Sequence, residues 1–158
     1  MKKPLTPSEA TERLEVLCVR AEQSTADMRR KLALWGISAS AADEIIDSLT
    51  ARGFIDDLRF ARAYVRDKYR FSAWGTAKIR AGLYAKRISA SDIDEALREI
   101  DARQYASIAF SAISTRLRTI DRTDLHTCRQ KLLRFGLSRG YETSLILRIL
   151  NSRSLWKD

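Results

Sequence analysis

Four arginines, Arg59, Arg62, Arg66 and Arg70, recur at three- or four-residue spacing, and Lys78 and Arg80 follow them. At 100° per residue the four fall on one side of a helix, with Phe60, Ala61, Tyr64 and Val65 almost directly opposite. Like charges at i,i+4 cost about 0.2–0.5 kcal/mol each, and Arg62–Arg66 and Arg66–Arg70 are both such pairs. No carboxylate stands within the stripe; Asp56 and Asp67 lie toward its edge. Repeated acceptance of that repulsion points to an external anion. The chemistry expected of these six cations is therefore contact with phosphates or with a partner's carboxylates. Aromatics interleave with bases from Lys68 to Gly75, a pattern able to stack nucleotides. Trp74 reads better as half of a hydrophobic staple, at N′ and N4 with Ile79 around a Gly75 cap. Tyr69 and Phe71 stay open between the two roles.

The other reactive side chains offer less. Asp56 and Asp57 stand at a helix start, where they cap orphan amides and meet the positive end of the dipole. His126 has no second histidine or acid cluster near it. Cys18 and Cys128 are too few for a disulfide framework and lack metal spacing. No P-loop, G-x-G-x-x-G, G-x-S-x-G or paired helical histidine is present. No catalytic residue, metal or cofactor is expected. The polar, charged amino-terminal stretch and short apolar runs predict neither an export signal nor a membrane span, hence a cytoplasmic protein with reduced thiols.

The net charge is +9. Residues 1–51 hold 7 Lys/Arg against 8 Asp/Glu, residues 52–87 hold 10 against 3, and residues 88–158 hold 12 against 9. Cut this way, the excess lies in the middle of the chain. A focused basic patch favours a polyanion or an acidic protein surface.

The elements that must position these residues are helices, for the apolar spacing is helical throughout and the chain repeats itself. Met28-x3-Leu32-x4-Ile37-Ser38 recurs as Ile79-x3-Leu83-x4-Ile88-Ser89 and as Cys128-x3-Leu132-x4-Leu137-Ser138, at offsets of 51 and 49 residues. Cys128 thus fills a core slot. Ser24, Gly75 and Asp124 stand as N-caps before each first anchor. Gly36 and Gly136 stand where a left-handed residue would end the helix. A third stripe follows in each copy: Ile45/Ile46/Leu49, Ala96/Leu97/Ile100 and Leu145/Ile146/Ile149. A preceding helix is expected over 7–22, 57–70 and 102–118. Thr6-Pro7-Ser8-Glu9 is a capping box that fixes the first. The reading is an all-α, elongated stack of three tandem three-helix units: 1–53, 54–100 (basic, central) and 101–158.

Gly53-Phe-Ile-Asp-Asp-Leu-Arg-Phe-Ala61, with Gly75 and Ile79-x3-Leu83-x4-Ile88-Ser89, resembles the central signature of the RecX family. Arg29-Arg30-Lys31-Leu32 is similar to its amino-terminal element, and the likeness covers essentially the whole chain. Two positions depart from the family pattern: Arg87 stands where glycine is usual, and Gly82 where an acid is usual. The resemblance implies a non-enzymatic regulator of the RecA recombinase. Such a protein binds the RecA–DNA filament and limits its growth, ATPase and strand exchange in recombination and repair. RecA, the filament and DNA are the implied partners, with Arg59, Arg62, Arg66, Arg70, Lys78 and Arg80 as the expected contacts and a monomer as the expected state. The alternative is a stand-alone helix-turn-helix-like DNA-binding protein, and a nuclease is a distant third.

Overall fold

The computed structural model describes residues 3–157, and among them the regular structure is entirely helical. Nine α-helices follow in order: α1 (Pro7–Arg20), α2 (Thr25–Leu34), α3 (Ala39–Ala51), α4 (Asp57–Arg70), α5 (Thr76–Ala85), α6 (Ala90–Leu97), α7 (Ala102–Leu117), α8 (Leu125–Ser138) and α9 (Thr143–Leu150). A short 3-10 turn, Arg153–Trp156, follows α9. Helices pack in consecutive triplets: α1 and α2 on α3, then α4 with α5 and α6, then α7 with α8 and α9. No helix among the described residues is long and apolar enough to cross a membrane.

Local chemistry explains the boundaries. Thr6 and Glu9 close the expected capping box, each side chain accepting the other's backbone N–H. Ser24, Ser38, Ser89 and Asp101 accept an N–H one turn into α2, α3, α6 and α7. Between α2 and α3, Gly36 takes φ +79° and Ile37 N–H donates back to Leu32 O. Between α5 and α6 the same turn is built on Arg87, at φ +57°, with Ile88 N–H on Leu83 O. A side chain in that region costs about 1–2 kcal/mol.

The third copy departs from the expected register. Gly136 does not end its helix; it is buried inside α8, where Ile146 packs against it. The chain continues one more turn to Gly140, at φ +92°, and Tyr141 N–H donates to Gly136 O. Tyr141, 3% exposed, takes the place held by Ile37 and Ile88, whereas Leu137 is 47% exposed. Ser138 caps nothing and donates to Phe135 O within the last turn. The α9 stripe is correspondingly displaced by one turn, so that Ile146 matches Ala42 and Ile93. Leu132 to Leu137 repeats the five-residue step of the other two copies in sequence. Gly136, however, lets α9 approach closely enough for α8 to run on.

The three triplets are not equal neighbours. One apolar cluster, from Ala10 to Ile55, belongs to the first triplet. A second cluster, from Ala61 to Leu155, is shared by the other two. The join between the first and second triplets is made by polar contacts instead. Asp57 Oδ1 accepts Thr25 N–H at 2.8 Å, Lys86 Nζ meets Asp27 Oδ2 at 2.6 Å, and Arg59 Nε meets Glu22 Oε1 at 2.7 Å.

The join between the second and third triplets is close backbone packing. Gly75 N–H donates to Arg139 O at 2.6 Å and Ala77 N–H to Gly140 O at 3.1 Å. Tyr105 Oη accepts Thr76 N–H at 3.0 Å and donates to Glu142 Oε2 at 2.8 Å. Burial raises the Tyr105 phenol far above its ordinary value, so it stays protonated as that donor. Thr25 and Thr76, the first residues of α2 and α5, are thus both capped from the next triplet. This explains why Gly75, which has no capping side chain, suffices to start α5.

Candidate nucleic-acid and partner interface

The helix carrying the arginine stripe begins at Asp56, whose carboxylate accepts Arg59 N–H at 3.0 Å. Both aspartates cap, as expected, but Asp57 caps a different helix, α2. Ala61, Val65 and Tyr69 are buried on the core side, and Phe60 and Tyr64 are half-buried beside them. Tyr69 is therefore a core residue, and its hydroxyl donates to Gln104 Oε1 at 3.0 Å. Phe71 is the opposite case, 83% exposed just past the helix end. Trp74 packs half-buried on the cluster that holds Ile79, edge-on to Tyr64 with ring centroids 6.4 Å apart.

The six expected contact residues fall into two groups. Arg59, Arg62 and Arg80 are engaged within the chain. Arg59 bonds Glu22 and donates to Gly53 O at 2.9 Å, which fastens α4 to the first triplet. Arg62 lies between two acids that α6 and its end supply: its Nη2 is 3.1 Å from Glu95 Oε1, and its Nε is 2.6 Å from Glu99 Oε1. The second contact is off the N–H direction, an ion contact rather than a hydrogen bond. Arg80 meets Asp94 Oδ1 at 2.7 Å. The same bridge occurs 51 residues earlier between Arg29 and Asp43, so it is a feature of the repeated pair of helices. The stripe is free of acids only along its own helix; α6 and its end supply them from the side.

Arg66, Arg70 and Lys78 have no carboxylate partner among the described residues. Arg66 is exposed. Arg70 donates to Tyr69 Oη at 3.1 Å. Lys78 Nζ lies 4.6 Å from the Trp74 ring centroid, and Lys68 Nζ lies 4.8 Å from the same ring and 5.4 Å from that of Tyr64. Two ammonium groups on one indole gain cation–π attraction but repel each other. A phosphate or carboxylate arriving there relieves that repulsion. Lys68 belongs to the basic and aromatic run from Lys68 to Gly75 but lies off the arginine stripe by its helical angle, and the fold places it, like Lys78, against the Trp74 ring.

The departures from the family pattern have local causes. A Cβ on Gly82 would overlap the Tyr64 hydroxyl, so glycine there makes room for the ring beside α5. Cys128 is fully buried in the core slot the repeat assigns it. His126 is exposed and pairs with Gln130 at 3.2 Å. Among the described residues no group of three or more His, Cys, Asp or Glu side chains is placed to hold a metal ion.

Residues 56–97, which contain α4, α5 and α6, match the family model described as RecX, second three-helix domain. The chain is 35% identical over 130 residues to the regulatory protein RecX of Xanthomonas axonopodis pv. citri, covering 82% of this chain and 78% of that protein. It is 33% identical over 121 residues to that of Clostridium botulinum strain Eklund 17B, covering 75% of this chain and 56% of that protein. The chain thus spans just over half the length of its clostridial relatives. In fold it is similar to a crystal structure of the regulatory protein RecX (TM-score 0.85, 23% identity, 92% of this chain and 73% of that one). It is also similar to RecX from Lactobacillus salivarius (TM-score 0.79, 19% identity, 94% and 97%). With the helix triplets and a relative of this identity and coverage in hand, the chain belongs to the RecX family of regulatory proteins.

Proposed function

We propose that this protein regulates the RecA recombinase by binding the RecA–DNA filament, limiting its growth, ATP hydrolysis and strand exchange in recombination and repair. It acts in the cytoplasm, as a monomer and without catalysis of its own. The observation that carries the reading is a set of cations without a carboxylate partner, Arg66 and Arg70 on the exposed stripe of α4 and Lys68 and Lys78 at Trp74, within the segment that matches the RecX second three-helix domain. Such a surface takes up an anion without having to break an internal ion pair first, whereas Arg59, Arg62 and Arg80 must exchange one partner for another.

The test is ATP hydrolysis by RecA on single-stranded DNA. The wild type is expected to suppress it at substoichiometric amounts. Arg66→Glu with Arg70→Glu, both at exposed positions, is expected to weaken inhibition about tenfold or more while thermal unfolding stays unchanged. Undiminished inhibition by that folded variant removes this face from the mechanism.

A further inference from the structure

Counted by helix triplet, the charge lies elsewhere than the middle of the sequence. Residues 54–100 hold 10 Lys/Arg and 7 Asp/Glu, because α6 and its end add Asp92, Asp94, Glu95 and Glu99, the last three paired with Arg80 and Arg62. Residues 101–158 hold 11 against 5, a net +6 of the +9 total. Every ion pair among the described residues lies before residue 100. The third triplet is the more basic one, and its cations have no carboxylate partner among the described residues.

They are also gathered. Lys131, Arg134, Phe135 and Ser138 share one face of α8, at i, i+3, i+4 and i+7. With Arg116 from the last turn of α7 and Asp121 from the loop between, they line an open cleft. The Arg116 and Arg139 guanidinium carbons lie 5.7 and 6.0 Å from the Phe135 ring centroid, so the ring holds Arg116 in the cleft and Arg139 beside it. Arg139 is already bonded to the carbonyls of Ser72 and Ala73. Lys131 and Arg134 bond nothing among the described residues and are exposed. Asp121 opposes an anion at one end, where it accepts Thr123 N–H at 2.9 Å.

We infer that this α7–α8 cleft is a second anion site, and that it holds the phosphate backbone of DNA. The centres of protein–protein interfaces are depleted of lysine. A helix face whose outward side chains are Lys, Arg and Ser instead matches contacts that position a nucleic-acid backbone without reading its sequence. The inference rests on the filament reading only in taking DNA as the polyanion.

The experiment is therefore run without RecA: anisotropy of labelled single-stranded and duplex DNA with the full chain, as a function of salt. Lys131→Glu with Arg134→Glu is expected to weaken binding about tenfold or more at low salt. It should also flatten the slope of log K against log salt by roughly 0.7 to 0.9 for each phosphate that is no longer neutralised. Lys131→Gln with Arg134→Gln, a milder change should the reversal unfold the triplet, is expected to shift both readings in the same direction. Wild-type affinity and slope in a folded reversal variant would overturn the assignment, as would a wild type that binds no DNA at low salt. Unchanged DNA binding with weakened affinity for DNA-free RecA would also overturn it, and would assign the cleft to an acidic protein surface instead. Because RecA inhibition is measured separately, failure here leaves the filament reading standing.

Discussion

Arg87 and Gly75 show how much a single residue decides in this chain. Arg87 occupies a left-handed turn, φ +57°, and is exposed, with its side chain engaged in no hydrogen bond among the described residues. Replacing it by glycine relieves backbone strain and removes little packing. Urea unfolding of Arg87→Gly is expected to show a gain of about 1 kcal/mol, less the greater entropy of a glycine in the unfolded chain. Gly75 is the reverse case. A Cβ there would overlap the Gly140 carbonyl and the Tyr141 nitrogen, backbone atoms with no room to move. Gly75→Ala is expected to destabilise by about 2 kcal/mol or more, by forcing apart the α5–α8 join. A melting temperature equal to wild type would show that the join is looser than its hydrogen bonds imply.

Among the elements, α2 depends on residues outside its own triplet, and its dependence is sensitive to pH. Burial works to raise the Asp27 carboxyl, but the hydrogen bond and charge of Lys86, the Ser24 hydroxyl and Arg30 outweigh it and hold the carboxyl below its ordinary value. A carboxylate depressed in the folded state adds stability above the unfolded value of 3.8, and that contribution disappears as pH falls through the folded value. The stability margin of wild type over Asp27→Asn, followed by urea unfolding, is expected to be present near neutrality and to shrink toward zero in acid. A margin that does not change with pH would mean that the Lys86 contact contributes nothing.

The caps that begin these helices are written in residues three or four positions apart, which is why Thr6, Ser24, Asp56 and Asp124 are legible in the sequence. Leu137 and Gly136 mislead because helix length in the third copy is set by how closely α9 approaches, a contact between distant residues. The arginine stripe is legible as a helical face. Its partners are not, since Glu95 and Glu99 lie more than thirty residues along the chain from Arg62.

For the whole molecule, the two joins differ in kind and the charge follows neither the sequence thirds nor the stripe. The first triplet, with its own core, is fastened by a cap and ion contacts; the second and third share one core and are locked at Gly75 and Gly140. The second and third triplets therefore present their cation clusters, around Trp74 and around Phe135, on one continuous body. Two cation clusters on a single body suit a long, regular polyanion more than a compact ligand. The most direct measurement is titration of the protein into preformed RecA–DNA filaments and, at the same salt, into bare single-stranded DNA. The account predicts tighter binding to the filament, with ATP hydrolysis falling as sites fill. Equal or weaker binding to the filament than to bare DNA, with hydrolysis unaffected, would contradict it.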